Sequence, residues 1–237
     1  MPELEPLFVE MPTNPDEAGY LVLTALKKYA IPIEAWDSGD TKTLPEFLEE
    51  VRAGELVLHA MAGFVRTRRR KGPTAPANCL VATSNRTLTY VSRVNPRTNR
   101  PEEWIDALQV YPPNNNNLHG RIRQRWVQGL REKMHPGESH ESALVRSVYE
   151  ESGNVLRIPA NRFSYIRTTH PDEPKPSKAY PGIFELRTIF EYALQLTPQE
   201  AALSRQLPET LLGPDVYGFT EEQTHKTCYA LWREAPG

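Results

Sequence analysis

Apolar positions along the chain fall into two spacings, one helical and one alternating. In Ala18–Tyr29, Leu21, Leu23, Ala25 and Leu26 lead into Lys27-Lys28, which predicts a short helix stopped by Pro32. Thr43–Ala53 predicts a second helix with Leu44, Phe47, Leu48 and Val51 inward, Pro45 in its first turn and Gly54 at its end. Glu55–Arg66 then reads as a strand, or two joined at Gly63. Asn78–Ala82 and Arg86–Val94 read as a hairpin or adjacent strands around Ser84-Asn85, because Thr87, Thr89 and Val91 alternate with Leu88, Tyr90 and Ser92. Asn95–Asn117 is interrupted by Pro96, Pro101, Pro112 and Pro113, which predicts mostly loop with a short element at Trp104–Val110. Trp126 and Leu130 are expected to anchor the segment that follows.

Late in the chain, Asn154–Ile158 and Arg162–Thr169 read as short strands and Pro171–Pro181 as a loop. Ile183–Leu196 carries the clearest strand signal: Phe184, Leu186, Ile189 and Phe190 with Glu185, Arg187 and Glu191 between them. Pro198–Leu207 is expected to be helical, Gly213–Gly218 a turn, and Thr220–Trp232 a final helix. No internal repeat is evident.

Between these blocks lies Arg131–Gly153, a turn feeding an acidic helix. Pro136-Gly137 suits a turn, Ser139 can cap a helix, and Glu141 falls in the first turn, where negative charge is favoured. Val145, Val148 and Ser152 recur at three and four residues and predict an inward stripe, with Glu141 one turn before Val145. Glu150 and Glu151 leave that stripe together, Arg146 lies one turn before Glu150, and Gly153 can close the helix. Neighbouring carboxylates repel, and a divalent cation between them relieves the repulsion. A solvated face with an Arg–Glu pair accounts for the same spacing, so both readings stand on charge alone.

The order of residues in this segment resembles the Nudix box, a Gly, five residues, a Glu, seven residues, then Arg-Glu-apolar-any-Glu-Glu-any-Gly. Glu138, Arg146, Val148, Glu150, Glu151 and Gly153 match, and Pro136-Gly137-Glu138-Ser139 is similar to the turn entering the Nudix helix. Glu132 stands at the opening Gly, Ser147 at the Glu after the Arg, and Asn154 at the usual apolar residue beyond the last Gly. The resemblance implies an α/β fold, a Nudix-like α/β/α sandwich with a mixed sheet, with residues 1–54 as a helical N-terminal extension or cap and 55–237 as the Nudix-like domain. It implies Mg2+ or Mn2+ held by Glu150, Glu151 and the Arg131 carbonyl. Arg146 would orient the glutamates, and Glu138 would serve the metal network or the loop. A further Glu from outside the box is expected among Glu185, Glu191, Glu221 and Glu222. His135, His140, His170 and His225 show no metal-ligand spacing.

Composition narrows this picture little. With 237 residues, 24% charged and a net charge of -2, nothing demands nucleic acid. Arg66, Arg68, Arg69, Arg70 and Lys71 form either a solvated run or a phosphate-facing loop that binds substrate; they lack the aromatic interleaving of an RNA-binding surface. Cys79 and Cys228 are too far apart in sequence for a disulfide framework or a zinc-spacing argument. The sequence has no apolar run near the length of a membrane span and no secretory pattern, so a soluble cytoplasmic protein without a membrane partner is expected. Three functions follow: metal-dependent hydrolysis of a small-molecule diphosphate, ligand binding or regulation without hydrolysis, and other chemistry on an organic metabolite. The retained Arg146, Glu150 and Glu151 favour the first, while Glu132 and Ser147 favour the others. A homodimer is left open.

Overall fold

The computed structural model describes residues 4–8, 10–38, 41–62, 78–113, 120–204, 216–220 and 226–235. The chain is of the α/β class, with a large mixed sheet and few helices among the described residues. It divides into two compact units: residues 1–85 with 170–188, and residues 86–169 with 189–237.

The first unit holds both N-terminal helices. Helix α1 (Pro15–Lys28) starts at Asn14, whose side chain accepts from Asp16 N–H at 2.9 Å, and ends on Lys27 and Lys28 beside its negative pole. Helix α2 (Leu44–Arg52) begins with a reciprocal cap between Thr43 and Glu46 and has Pro45 in its first turn. Its inward Phe47 packs edge-on to Trp36 and Tyr180, with ring centroids 5.1 and 4.7 Å away. Glu50 is buried in the same core, where the Tyr180 hydroxyl donates to it at 2.5 Å and Lys42 pairs with it. Strands β1 (Glu5–Pro6) and β2 (Val57–Ala62) pair antiparallel, and β2 pairs with residues 78–83.

Those residues begin β3 (Asn78–Val94), one unbroken strand rather than the expected hairpin or two adjacent strands. Ser84 is buried and neither Ser84 nor Asn85 adopts a positive φ, so the backbone never reverses. In the second unit, β3 continues to β4 (Pro101–Tyr111) and β6 (Leu130–Lys133), both antiparallel. The short element expected at Trp104–Val110 is therefore a longer strand: Pro101 sits at a strand end, where its missing N–H costs nothing, and Trp104, Ile105 and Ala107 are buried. Strand β5 (Arg121–Gln128) pairs with β4. Trp126 on it is 64% exposed rather than packed as an anchor, whereas Leu130 is buried as expected.

Helix α3 (His140–Glu151) follows, and residues 154–159 after it are not strand. Asn154 has a φ of 65° and donates its N–H to the Tyr149 carbonyl at 2.8 Å, closing the helix instead of opening a strand. Strands β7 (Ser164–Thr169) and β9 (Phe184–Gln195) match their expectations, with the two-residue β8 (Lys175–Pro176) pairing the start of β9. β9 runs in the same direction as β3: Tyr90 meets Glu191, while the Ser92 carbonyl accepts from Leu196 N–H at 2.9 Å. Helix α4 (Pro198–Ser204) is present. Where described, the expected turn at Gly213–Gly218 is part of strand β10 (Val216–Thr220), and the expected last helix at Thr220–Trp232 is instead strand β11 (Thr227–Glu234), antiparallel to β10. Cys228, Ala230 and Trp232 are buried at every second position, a strand period. They join Val91, Trp104, Leu130, Val148 and Leu194 in the core of this unit. No helix among the described residues is long and apolar enough to cross a membrane.

Candidate functional site

Strand β6 delivers the chain to the site. Alternation turns Leu130 and Glu132 toward α3 and Arg131 the other way; Leu130 meets Val148 in the core, and Glu132 reaches Arg146. Arg131 stands opposite Leu88 in the β3–β6 ladder with its side chain exposed. The chain then turns at Pro136-Gly137, where Gly137 takes a φ of 72° that a side chain would resist. Glu138 clamps this turn: its carboxylate accepts from His135 N–H at 2.9 Å. Ser139 caps α3 by accepting from Ser142 N–H at 3.1 Å.

Arg146 is the hub. Its Nε and Nη2 donate to the two oxygens of Glu138 at 3.0 and 2.9 Å, a forked pair. Nη2 also donates to the Lys133 carbonyl at 2.8 Å. Nη1 lies 3.3 Å from Glu150 and 3.6 Å from Glu132. One guanidinium thus gathers three carboxylates and ties the strand, the turn and the helix together.

The electrostatics differ among the acids. Burial raises the Glu138 pKa, but the Arg146 hydrogen bonds and the His135 N–H outweigh it, so the net shift is down. Glu132 shifts up, because burial outweighs the Arg146 charge and the Lys133 N–H, with Glu150 adding repulsion. Burial pulls Arg146 down, yet its bonds to Glu138 and the charges of Glu132, Glu138 and Glu150 carry its pKa well above the ordinary value.

The helix faces inward through Ala143, Leu144, Ser147, Val148 and the following Ser152. Val145, expected in that stripe, instead lines an open cavity of about 740 Å³ with Glu141, Tyr149 and Arg157 on the outer side. Ser147 is fully buried, and its hydroxyl has no hydrogen-bond partner among the described residues. At 100° per residue it lies between Glu150 and Glu151 around the helix axis. Glu151 ends the helix, partly buried.

Of the glutamates expected from outside the box, Glu191 is buried on β9 and accepts from Tyr90, Arg167 and Thr169. The Arg167 hydrogen bond comes first among the causes that hold its pKa down. Its neighbour Tyr192 bonds His140 at the start of α3, so alternation turns Glu191 to the other face. Glu185 belongs to the first unit, bonded by Ser177 at 2.5 Å and paired with Arg187. Arg66, Arg68, Arg69, Arg70, Glu221, Glu222 and His225 lie outside the described residues. His135 and His170 are exposed, and His140 stacks on Phe190 with centroids 5.2 Å apart. Sequence reasoning missed Glu132 as a member of the cluster. The available signal was its two-residue offset from the inward Leu130.

No family model matches the chain, and no curated protein matches it. Among solved structures, a MutT/nudix family protein from Enterococcus faecalis is similar at 13% identity and a TM-score of 0.28, covering 46% of this chain and 36% of that one. A T. brucei MERS1–RNA complex is similar at 14% identity and a TM-score of 0.30, covering 65% and 52%. The chain thus spans about a third to a half of these neighbours' lengths. The arrangement around Arg146 stands on its own residues.

Proposed function

We propose that the protein binds a small-molecule diphosphate together with Mg2+ or Mn2+ at the Arg146 cluster and hydrolyses it slowly. The observation that carries this reading is the convergence of Glu132, Glu138 and Glu150 on a single guanidinium, an acid excess at the mouth of a loop–helix turn. Among the described residues no three acidic, histidine or cysteine side chains are grouped to hold a metal ion by themselves. The cation is therefore proposed to arrive with its substrate, since Mg2+ commonly takes one or two carboxylates and completes its shell with water and phosphate oxygens. Glu150, with 41% of its side chain exposed, is the accessible donor, and Glu151 is the second. When bound, a divalent cation would lower the pKa of a water and offset charge at phosphorus.

The chain's own residues have separable tasks. Arg146 and Glu138 hold β6, the turn and α3 in register. Glu150 and Glu151 present negative charge from the end of the helix. Ser147, lying between them, is neutral and buried, so it neither binds a cation nor accepts a proton as a carboxylate would. This is why slow turnover is expected, and it favours ligand binding without hydrolysis as the second reading.

A panel of nucleoside, dinucleotide, sugar-nucleotide and isoprenoid diphosphates, each with Mg2+, Mn2+ or a chelator, separates the two. Metal-dependent product formation that falls by orders of magnitude in Glu150→Gln and in Glu151→Gln supports hydrolysis. Binding without product in every metal supports the second reading. Turnover unchanged by chelator and by both substitutions would sink the metal-dependent reading.

A further inference from the structure

Residues 121–131 carry four arginines, Arg121, Arg123, Arg125 and Arg131, and no acidic residue, in a chain whose net charge is -2. Arg121 lies over the Tyr111 ring, 4.2 Å from its centroid, and Arg125 pairs with Asp106 at 3.2 Å. Arg123 and the exposed Arg131 form no ion pair among the described residues. Partial desolvation, the charge of Arg125 and that of Arg86 all lower the Arg131 pKa, with Tyr90 and Glu191 opposing. The guanidiniums of β5 and β6 thus repel one another, and an anion between them would relieve the repulsion. The strand that carries three of them has a second peculiarity. β5 pairs with β4 alone among the described residues. Opposite Ala107 the ladder slips, and Arg125 and Trp126 together stand where β4 supplies one residue. Trp126 takes a φ of 46° there, a left-handed conformation that bulges usually give to glycine and that a bulky side chain resists. Its side chain is exposed, while Trp36, Trp104 and Trp232 are buried, and Ile122 on the same strand is exposed as well. Charge alone would keep an edge strand from pairing with another chain, and an exposed tryptophan works against that end.

We propose that β5 and the first residues of β6 bind an extended single strand of nucleic acid, with a base stacked on Trp126 and phosphates meeting Arg123 and Arg131. Two residues along a β-strand span about 6.8 Å, comparable to the phosphate repeat of an extended nucleic-acid strand, and an arginine fork suits phosphate oxygens. Aromatic platforms flanked by cations hold single strands without reading their sequence. This segment has the aromatic residue among its arginines that Arg66, Arg68, Arg69 and Arg70 lack. None of the Arg146 carboxylates takes part, and binding does not depend on diphosphate hydrolysis.

Fluorescence anisotropy of labelled oligouridine and oligothymidine, about twelve nucleotides long, measures binding to the intact chain in about 50 mM salt. Wild type should bind one or both and lose affinity as salt rises. Trp126→Gly suits the φ of 46°, so its Tm should equal or exceed that of wild type, while its affinity falls about tenfold. Trp126→Phe keeps a stacking face and should retain most of the binding. The double variant Arg123→Gln/Arg131→Gln should weaken binding of both oligomers alike and lower the slope of log affinity against log salt by about 0.7 for each arginine lost. Absence of binding by folded wild type would overturn the inference. So would full affinity in folded Trp126→Gly or in the folded arginine variant. A duplex of the same length bound as tightly as the single strands would overturn the stacking on Trp126. Each of these results leaves the proposed hydrolysis to its own assay.

Discussion

Replacing Arg146 by Met keeps the length and packing of the stem while removing the charge. Lost with it are the fork to Glu138 at 3.0 and 2.9 Å, the bond to the Lys133 carbonyl at 2.8 Å, and the contacts to Glu150 and Glu132. Three carboxylates then face one another without their common partner. Breaking a buried ion pair by removing one side costs about 3–5 kcal/mol. Arg146 keeps 21% of its side chain exposed, and water relieves part of that penalty, so the lower end applies, about 3 kcal/mol. For a chain of this size each kcal/mol moves Tm by about 2–4 °C, which gives a fall of about 6–12 °C. Circular dichroism melts with chelator present measure it. Added Mn2+ should then raise Tm more in Arg146→Met than in wild type, because the cation no longer competes with the guanidinium for Glu132 and Glu150. A Tm within about 1 °C of wild type, with no added response to Mn2+, would refute the hub.

Two further outcomes follow from the same cluster. The Glu138 pKa is lower in the folded chain, so its carboxylate contributes stability above the ordinary Glu value and loses it as pH falls through the folded value. The stability gap between wild type and Glu138→Gln should therefore be open at pH 7 and narrow below about pH 4.5 in urea titrations; a gap independent of pH would contradict the assignment. Ser147→Glu adds a carboxylate to a fully buried position and should destabilise the chain. Wild-type stability in this variant, read by the same titrations, would contradict the close packing around Ser147.

How much of this was legible in the sequence depended on how local the deciding forces are. Helix α3, its Ser139 cap and its glycine borders follow from residues that touch each other along the chain. So does β9, whose aromatic and β-branched residues favour a strand. Strand β3 does not read as one strand, because Ser84-Asn85 are locally good turn residues. Partners from distant parts of the sequence, β2 for its first half and β6 and β4 for its second, keep it extended. Strand β11 is short and contains Ala, Leu and Glu, all good helix formers, and only pairing with β4 and β10 makes its period of two decisive. The same division holds at the site. The Arg146–Glu138–Glu150 set was visible as an ordered motif. Glu132 was visible only as a mismatch, because its direction is set by the register of β6 against β3.

The most direct measurement is an anomalous difference map from crystals soaked with Mn2+ and methylene diphosphonate. The account predicts a peak about 2.1 Å from carboxylate oxygens of Glu150 and Glu151, with phosphonate oxygens completing the shell. A fully occupied Mn2+ and diphosphonate held elsewhere, with Arg146 still closed on Glu132, Glu138 and Glu150, would contradict it.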